Sequence, residues 1–247
     1  MSSHLNILSG ERKGQNFPTR DALQELWQEV AQKPLWAPPN FWRYLKLRWR
    51  MKTKQLNPHK IKMHAPGGKM NHCQSCTNNC CVGPESTVLL RLYDIATLMD
   101  LDKTDLISQQ KPGFDADVLN QRPAMQKHLA SKAWEIFPVL EKNSFGACAA
   151  LTTDGACSLH PHWPLSCARF PYALNVEASY VFYSRRCDSF WIRSDVKDKI
   201  QPMRLAAVAC YNERIKDAVL LEYAPKKLAE LGLLSYLNLK EEHATTR

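Results

Sequence analysis

The apolar positions of this chain change their period several times, and each change marks a new element. In residues 21–32, Leu23, Leu26, Trp27 and Val30 recur at helical spacing with Asp21 ahead of them, so a short helix capped by Asp21 is expected. Lys33-Pro34 and Ala37-Pro38-Pro39 interrupt it. A second helix is expected from about Asn40 to Gln55. There Trp42, Leu45 and Trp49 stand at i, i+3 and i+7 and form one aromatic stripe, with basic residues in most other directions. His64 to Gly68 reads as a flexible boundary.

Beyond the boundary the pattern predicts a short strand over Ser86–Leu90 and a helix over Tyr93–Leu101. A weaker helical pattern covers Thr104–Gln110, and residues 111–133 carry no readable period. A hairpin is expected from strands at 148–151 and 156–159 joined through Thr152-Thr153-Asp154-Gly155. A helical turn over His160–Arg169 and a second hairpin, Tyr172–Val176 with Tyr180–Ser184, follow. Leu205, Val208, Ala209, Ile215, Val219, Leu220 and Tyr223 then repeat at helical spacing. Pro225 ends that helix, and Lys226–Tyr236 reads as another. No internal repeat stands out. The fold class expected is α+β, a small cysteine-rich β core carrying a metal site with helices around it.

Composition sharpens this picture in two places. The net charge is +9, and it is uneven: residues 1–68 hold 12 Lys/Arg against 4 Asp/Glu, leaving the rest almost neutral. The chain therefore divides into a basic N-terminal extension (1–68), a cysteine-bearing domain (69–195) and C-terminal helices packed on it (196–247). The basic stretch 40–62 is expected to meet an acidic partner, whether protein, RNA or membrane surface. There is neither a secretory h-region nor a transmembrane segment in the sequence, so a cytoplasmic location is expected.

The second place is the cysteines. In a reducing compartment nine cysteines point to metal or redox chemistry rather than to disulfides. Cys73, Cys76, Cys80 and Cys81 fall within nine residues, and a Cys-x-x-Cys pair turns both sulfurs toward one metal. Neighbouring side chains diverge, so Cys80 and Cys81 need not serve the same ion. Cys148, Cys157 and Cys167 follow, then Cys187, making eight candidate ligands. Soft thiolates suit zinc, copper(I) and iron–sulfur clusters. Eight exceed what one closed zinc site needs, which favours iron as a cluster, 4Fe–4S in type, with zinc as the alternative. Cys210 lies in an apolar helical stretch and reads as a buried structural thiol. His160 and His162 read as supporting rather than ligating residues, and Arg169 as a structural partner of the site. No nucleotide-binding loop, nucleophile elbow or metalloprotease helix motif occurs.

The order CxxCxxxCC, then GACAALTTDGACSLHPHWPLSCARFP, then a later cysteine, resembles the YkgJ-type cysteine-cluster family over roughly residues 70–190. That family is described as zinc- or iron-chelating, with many members called iron–sulfur proteins. The matching positions are Cys73, Cys76, Cys80, Cys81, Cys148, Gly155, Cys157, Pro164, Cys167, Phe170, Pro171 and Cys187. The chain departs from the pattern with His160 for a tyrosine, Trp163 for an arginine, and Ala168 for an arginine. The resemblance implies metal binding, a redox or cluster-dependent role, and by analogy with a flagellin lysine N-methylase, methyl transfer.

Overall fold

The computed structural model describes residues 16–32, 41–63, 81–82, 87–110, 137–170, 172–175, 180–183 and 197–237. Cys73, Cys76, Cys80 and Cys187, the boundary at 64–68 and the unassigned stretch 111–133 lie outside them. The described elements form an α+β arrangement of helices with two small sheets.

Helix α1 (Pro18–Gln32) begins three residues before its expected start. Asp21 sits inside its first turn, and the cap comes from far along the chain. Asp100 accepts the Thr19 and Arg20 N–H groups through its two oxygens, both at 2.9 Å. A carboxylate there satisfies two orphan donors and faces the positive end of the helix. Helix α2 (Phe41–Lys54) follows, then a 3₁₀ turn at Pro58–Lys60 and strand β1 (Lys62–Met63). Helix α3 (Leu92–Asp100) matches the expectation closely and buries Leu92, Ile95, Ala96 and Leu98.

Two readings fail in the middle of the chain. Thr104–Gln110 is not helical beyond a 3₁₀ turn at Thr104–Leu106. It becomes strand β2 (Ile107–Gln110), antiparallel to β3 (Phe137–Leu140). Within the expected strand Ser86–Leu90, only a single bridge, Leu89 to Val139, is formed among the described residues. The 148–159 hairpin is shorter than expected: one antiparallel bridge, Leu151 to Cys157, closes it through the Thr152–Gly155 turn, and turns flank it. After helix α4 (Leu165–Ala168), the second hairpin appears as expected, β4 (Tyr172–Asn175) against β5 (Tyr180–Tyr183). β1 extends that sheet in parallel on the far side of β5. Helices α5 (Lys197–Tyr223) and α6 (Pro225–Glu230) and a 3₁₀ turn at Leu233–Leu237 complete the described chain.

Among the described residues the main hydrophobic cluster is mostly helical, with residues of β3 and of the cysteine-bearing turns packed into it. One cluster joins Leu23, Leu26 and Val30 of α1, Ile95 and Leu98 of α3, Leu140 of β3, and Val219, Leu220, Leu228 and Leu233 near the C-terminus. It draws on all three segments into which the sequence divides. A smaller cluster, Ile61, Tyr172, Val181, Ala207 and Val208, seats the three-stranded sheet on α5. None of the described helices is long and apolar enough to cross a membrane.

Candidate metal centre

Between β3 and α4 the chain makes the same turn twice. Residues 143–151 and 152–160 are related by a nine-residue repeat that shares Gly-Ala-Cys in sequence and nearly every hydrogen bond in structure. Asn143 N–H donates to the Ala147 carbonyl at 2.8 Å, and Thr152 N–H to Ala156 at 2.9 Å. Gly146 donates to Asn143 at 2.9 Å, and Gly155 to Thr152 at 3.0 Å. Ala149 donates to Glu141 at 2.9 Å, and Ser158 to Ala150 at 2.8 Å. Leu151 donates to Cys148 at 2.9 Å, and His160 to Cys157 at 3.1 Å. Gly146 and Gly155 take φ of 75° and 78°, a region that glycine enters without steric cost. The Asn143 side chain closes the first copy by accepting from Phe145 and Ala147 N–H groups, both at 3.0 Å. Thr152 closes the second through Asp154 and the Ala156 carbonyl.

The repeat presents Cys148 and Cys157 alike. The backbone N–H groups of Ala150 and Leu151 favour the thiolate of Cys148, and those of Leu159 and His160 favour that of Cys157. Donors two and three residues ahead of a cysteine stabilise its thiolate form. Burial works against them and is the larger effect, so both thiols sit above the ordinary thiol range.

Two further cysteines join these. Cys148 N–H donates to the Cys81 carbonyl at 2.7 Å, which ties the end of the first cysteine cluster to the repeat. Cys167 comes from α4, where burial first, then the charges of Cys148, Cys81, Asp94 and Cys157, push its thiol far up. Across Cys81, Cys148, Cys157 and Cys167, every one of the six pairs is close enough that ionising one thiol opposes ionising the other. Yet among the described residues no group of three or more His, Cys, Asp or Glu side chains is placed to hold a metal ion. The four thiols are neighbours without being a preformed coordination shell.

Asp94 fixes the position of Cys167, and sequence reading missed it. It lies on α3 and is 2% exposed. One oxygen accepts Arg91 N–H at 2.8 Å, capping its own helix, and the other accepts Leu165 N–H at 2.9 Å, capping α4. Burial, only partly offset by these bonds, holds its carboxyl up at about 6. Ser166 Oγ donates to the Leu89 carbonyl at 2.8 Å and ties α4 to the segment beside β3. An acid three residues into a helix is a visible capping signal. Its second bond, 71 residues away, is not.

The histidines face elsewhere. His160 is exposed and meets Trp163 edge-on at 4.7 Å, while the buried His162 packs against Phe17 at 5.0 Å. Arg169 reaches the Tyr172 carbonyl at 3.4 Å. Cys210 is buried on α5, with its sulfur 4.0 Å from Ser166 Oγ, and it is not one of the four mutually interacting thiols. As donors, the four thiols suit a thiophilic ion, zinc or iron, and not a hard cation. Comparison with family models, curated proteins and solved structures finds no match to this chain.

Proposed function

We propose that the protein is a thiolate metalloprotein that holds iron as an iron–sulfur cluster, 4Fe–4S in type, and serves a redox or cluster-dependent role. Cys81, Cys148, Cys157 and Cys167 would supply thiolates. Cys73, Cys76, Cys80 and Cys187 complete the set that the resemblance to the YkgJ-type family implies. The observation that supports the reading is the repeated turn, which presents Cys148 and Cys157 alike, each with two backbone N–H groups that favour its thiolate, in electrostatic reach of Cys81 and Cys167. N–H donors to sulfur lower the cost of gathering several thiolates in one place. A bound ion supplies the positive charge that the four thiols lack among themselves, and thiol protons leave as ligands form. A cytoplasmic location, where thiols stay reduced, suits this chemistry. The basic stretch 40–62 is proposed as the contact for an acidic partner.

Purification without oxygen tests the reading. Brown protein with iron, sulfide and absorbance near roughly 400 nm is expected. Cys148→Ser and Cys157→Ser should each lose metal, while Cys210→Ser keeps it. Colourless protein with stoichiometric zinc would replace iron by zinc in the same site. Protein that binds neither metal, or loses it only on changing Cys210, would overturn the proposal.

A further inference from the structure

Among the described side chains of helix α2, the one packed on the protein's core lies on the face opposite Trp42. Met51 packs against the main core. Just beyond the helix, the Asn212 side chain of α5 clamps the backbone of Leu56, accepting its N–H at 2.8 Å and donating to its carbonyl at 2.9 Å. Ile61 is then buried in the smaller cluster. Met51 stands nine residues after Trp42, about two and a half turns, hence on the opposite side of the helix. The stripe of Trp42, Leu45 and Trp49 accordingly faces outward, with exposures of 78%, 42% and 56%. Neither tryptophan is buried in the protein's own core.

Charge surrounds this stripe. Residues 41–63 contain eight lysines and arginines and no aspartate or glutamate. By helical register, positions 43, 46 and 50 lie on one side of the stripe and 48 and 52 on the other, and all five are basic. A narrow apolar ridge between two cationic flanks, on a helix fixed from behind, suits a flat anionic surface that accepts apolar side chains between its charges.

We infer that α2 is an in-plane docking helix for an anionic membrane surface, with Trp42, Leu45 and Trp49 entering the headgroup region and the flanking cations meeting lipid phosphates and carboxylates. The inference rests on the reading of 40–62 as the contact for an acidic partner, and names that partner. Two observations favour lipid over single-stranded RNA. Trp42 and Trp49 are seven residues apart, about 10 Å along the axis, so successive bases cannot stack on both. The residue between them is Leu45, which offers no aromatic face to a base but adds apolar area to a membrane contact. Tryptophan itself favours the membrane–water boundary, where its ring is half apolar and half polar.

Co-sedimentation of the full chain with vesicles tests this. Phosphatidylcholine vesicles containing about a third phosphatidylserine should bring the protein down at low salt, and release it as salt rises toward a Debye length of about 8 Å or less. Pure phosphatidylcholine should not. The double variant Trp42→Ala/Trp49→Ala should weaken binding about tenfold or more, because binding scales with buried apolar area. Both side chains are exposed, so its unfolding midpoint should match the parent's. Arg43→Gln/Lys46→Gln should weaken binding and flatten its salt dependence. Failure to bind anionic vesicles, or binding indifferent to the tryptophans, overturns the inference. If vesicles fail while a single-stranded RNA binds with the same dependence on the basic residues, an acidic partner stands and the membrane falls. If neither binds, both fall.

Discussion

Replacing Asp94 by asparagine separates two effects of this carboxylate that act in opposite directions. Asp94 accepts two backbone N–H groups, from Arg91 and Leu165, one on each oxygen. Asparagine keeps one acceptor and turns a donor toward the second N–H, which costs about 1–3 kcal/mol for the buried group left unpaired. It also removes a charge that burial disfavours. The folded carboxyl titrates at about 6, and an unfolded aspartate at about 3.9. Between these values the folded state holds a proton that the unfolded state has released, so stability falls as pH rises through this window. Two units at 1.36 kcal/mol each make this loss about 3 kcal/mol, of which about 2 lies between pH ~4.5 and pH ~7.5. Asp217, raised well above the carboxylate range by burial first and then by Glu213, adds a fall of the same sign, smaller in the variant because the Asp94 charge contributes to its shift. Urea unfolding under reducing conditions at several pH values reads the difference. Near pH ~4.5 the Asp94→Asn protein should be less stable than the parent by roughly 1–3 kcal/mol, and the gap should narrow by about 2 kcal/mol by pH ~7.5. A gap that stays constant across the window would show that Asp94 titrates as an ordinary carboxylate, and the assignment of its burial as the dominant effect would be wrong.

Other consequences are as direct. Gly155→Ala and Gly146→Ala meet no atom within 4 Å, so each should cost only the left-handed backbone penalty, about 1–2 kcal/mol, read by thermal unfolding. Both should also lower metal content, because the turns aim Cys148 and Cys157. Leu26→Ala should cost about 2–5 kcal/mol, since Leu26 is 5% exposed in the main core. Deleting residues 1–68 should abolish cooperative unfolding for the same reason. Asn212→Ala should leave the main core intact but expose residues 41–63 to limited proteolysis, because both bonds to Leu56 are lost.

Several elements were legible in the order of residues alone. The repeat of Leu205, Val208, Val219, Leu220 and Tyr223 predicts α5, because apolar residues at helical spacing in a continuous stretch are a local signal. The runs Tyr172–Val176 and Tyr180–Ser184, rich in aromatic and β-branched residues, likewise predict β4 and β5, which pair with a near neighbour. The sorting of Cys210 from the other thiols also agrees with its burial on α5, since an apolar helical face is a local pattern.

What escaped the sequence depends on partners far away in the chain. β2 carries no strong strand pattern and is a strand because β3, some 30 residues on, supplies its hydrogen bonds. The nine-residue repeat was missed because its copies share only Gly-Ala-Cys, while their identity lies in backbone bonds that many side chains can accompany. Asp100 caps α1 from 80 residues away, so the local candidate Asp21 lost the role. Asp94 joins α3 to α4 by a bond no periodicity records. The chain alone shows that Trp42, Leu45 and Trp49 share one face of a helix. Only the tertiary structure, by setting Met51 and the Asn212 clamp behind that helix, turned the face outward, because which side of an amphipathic helix is buried depends on what packs against it.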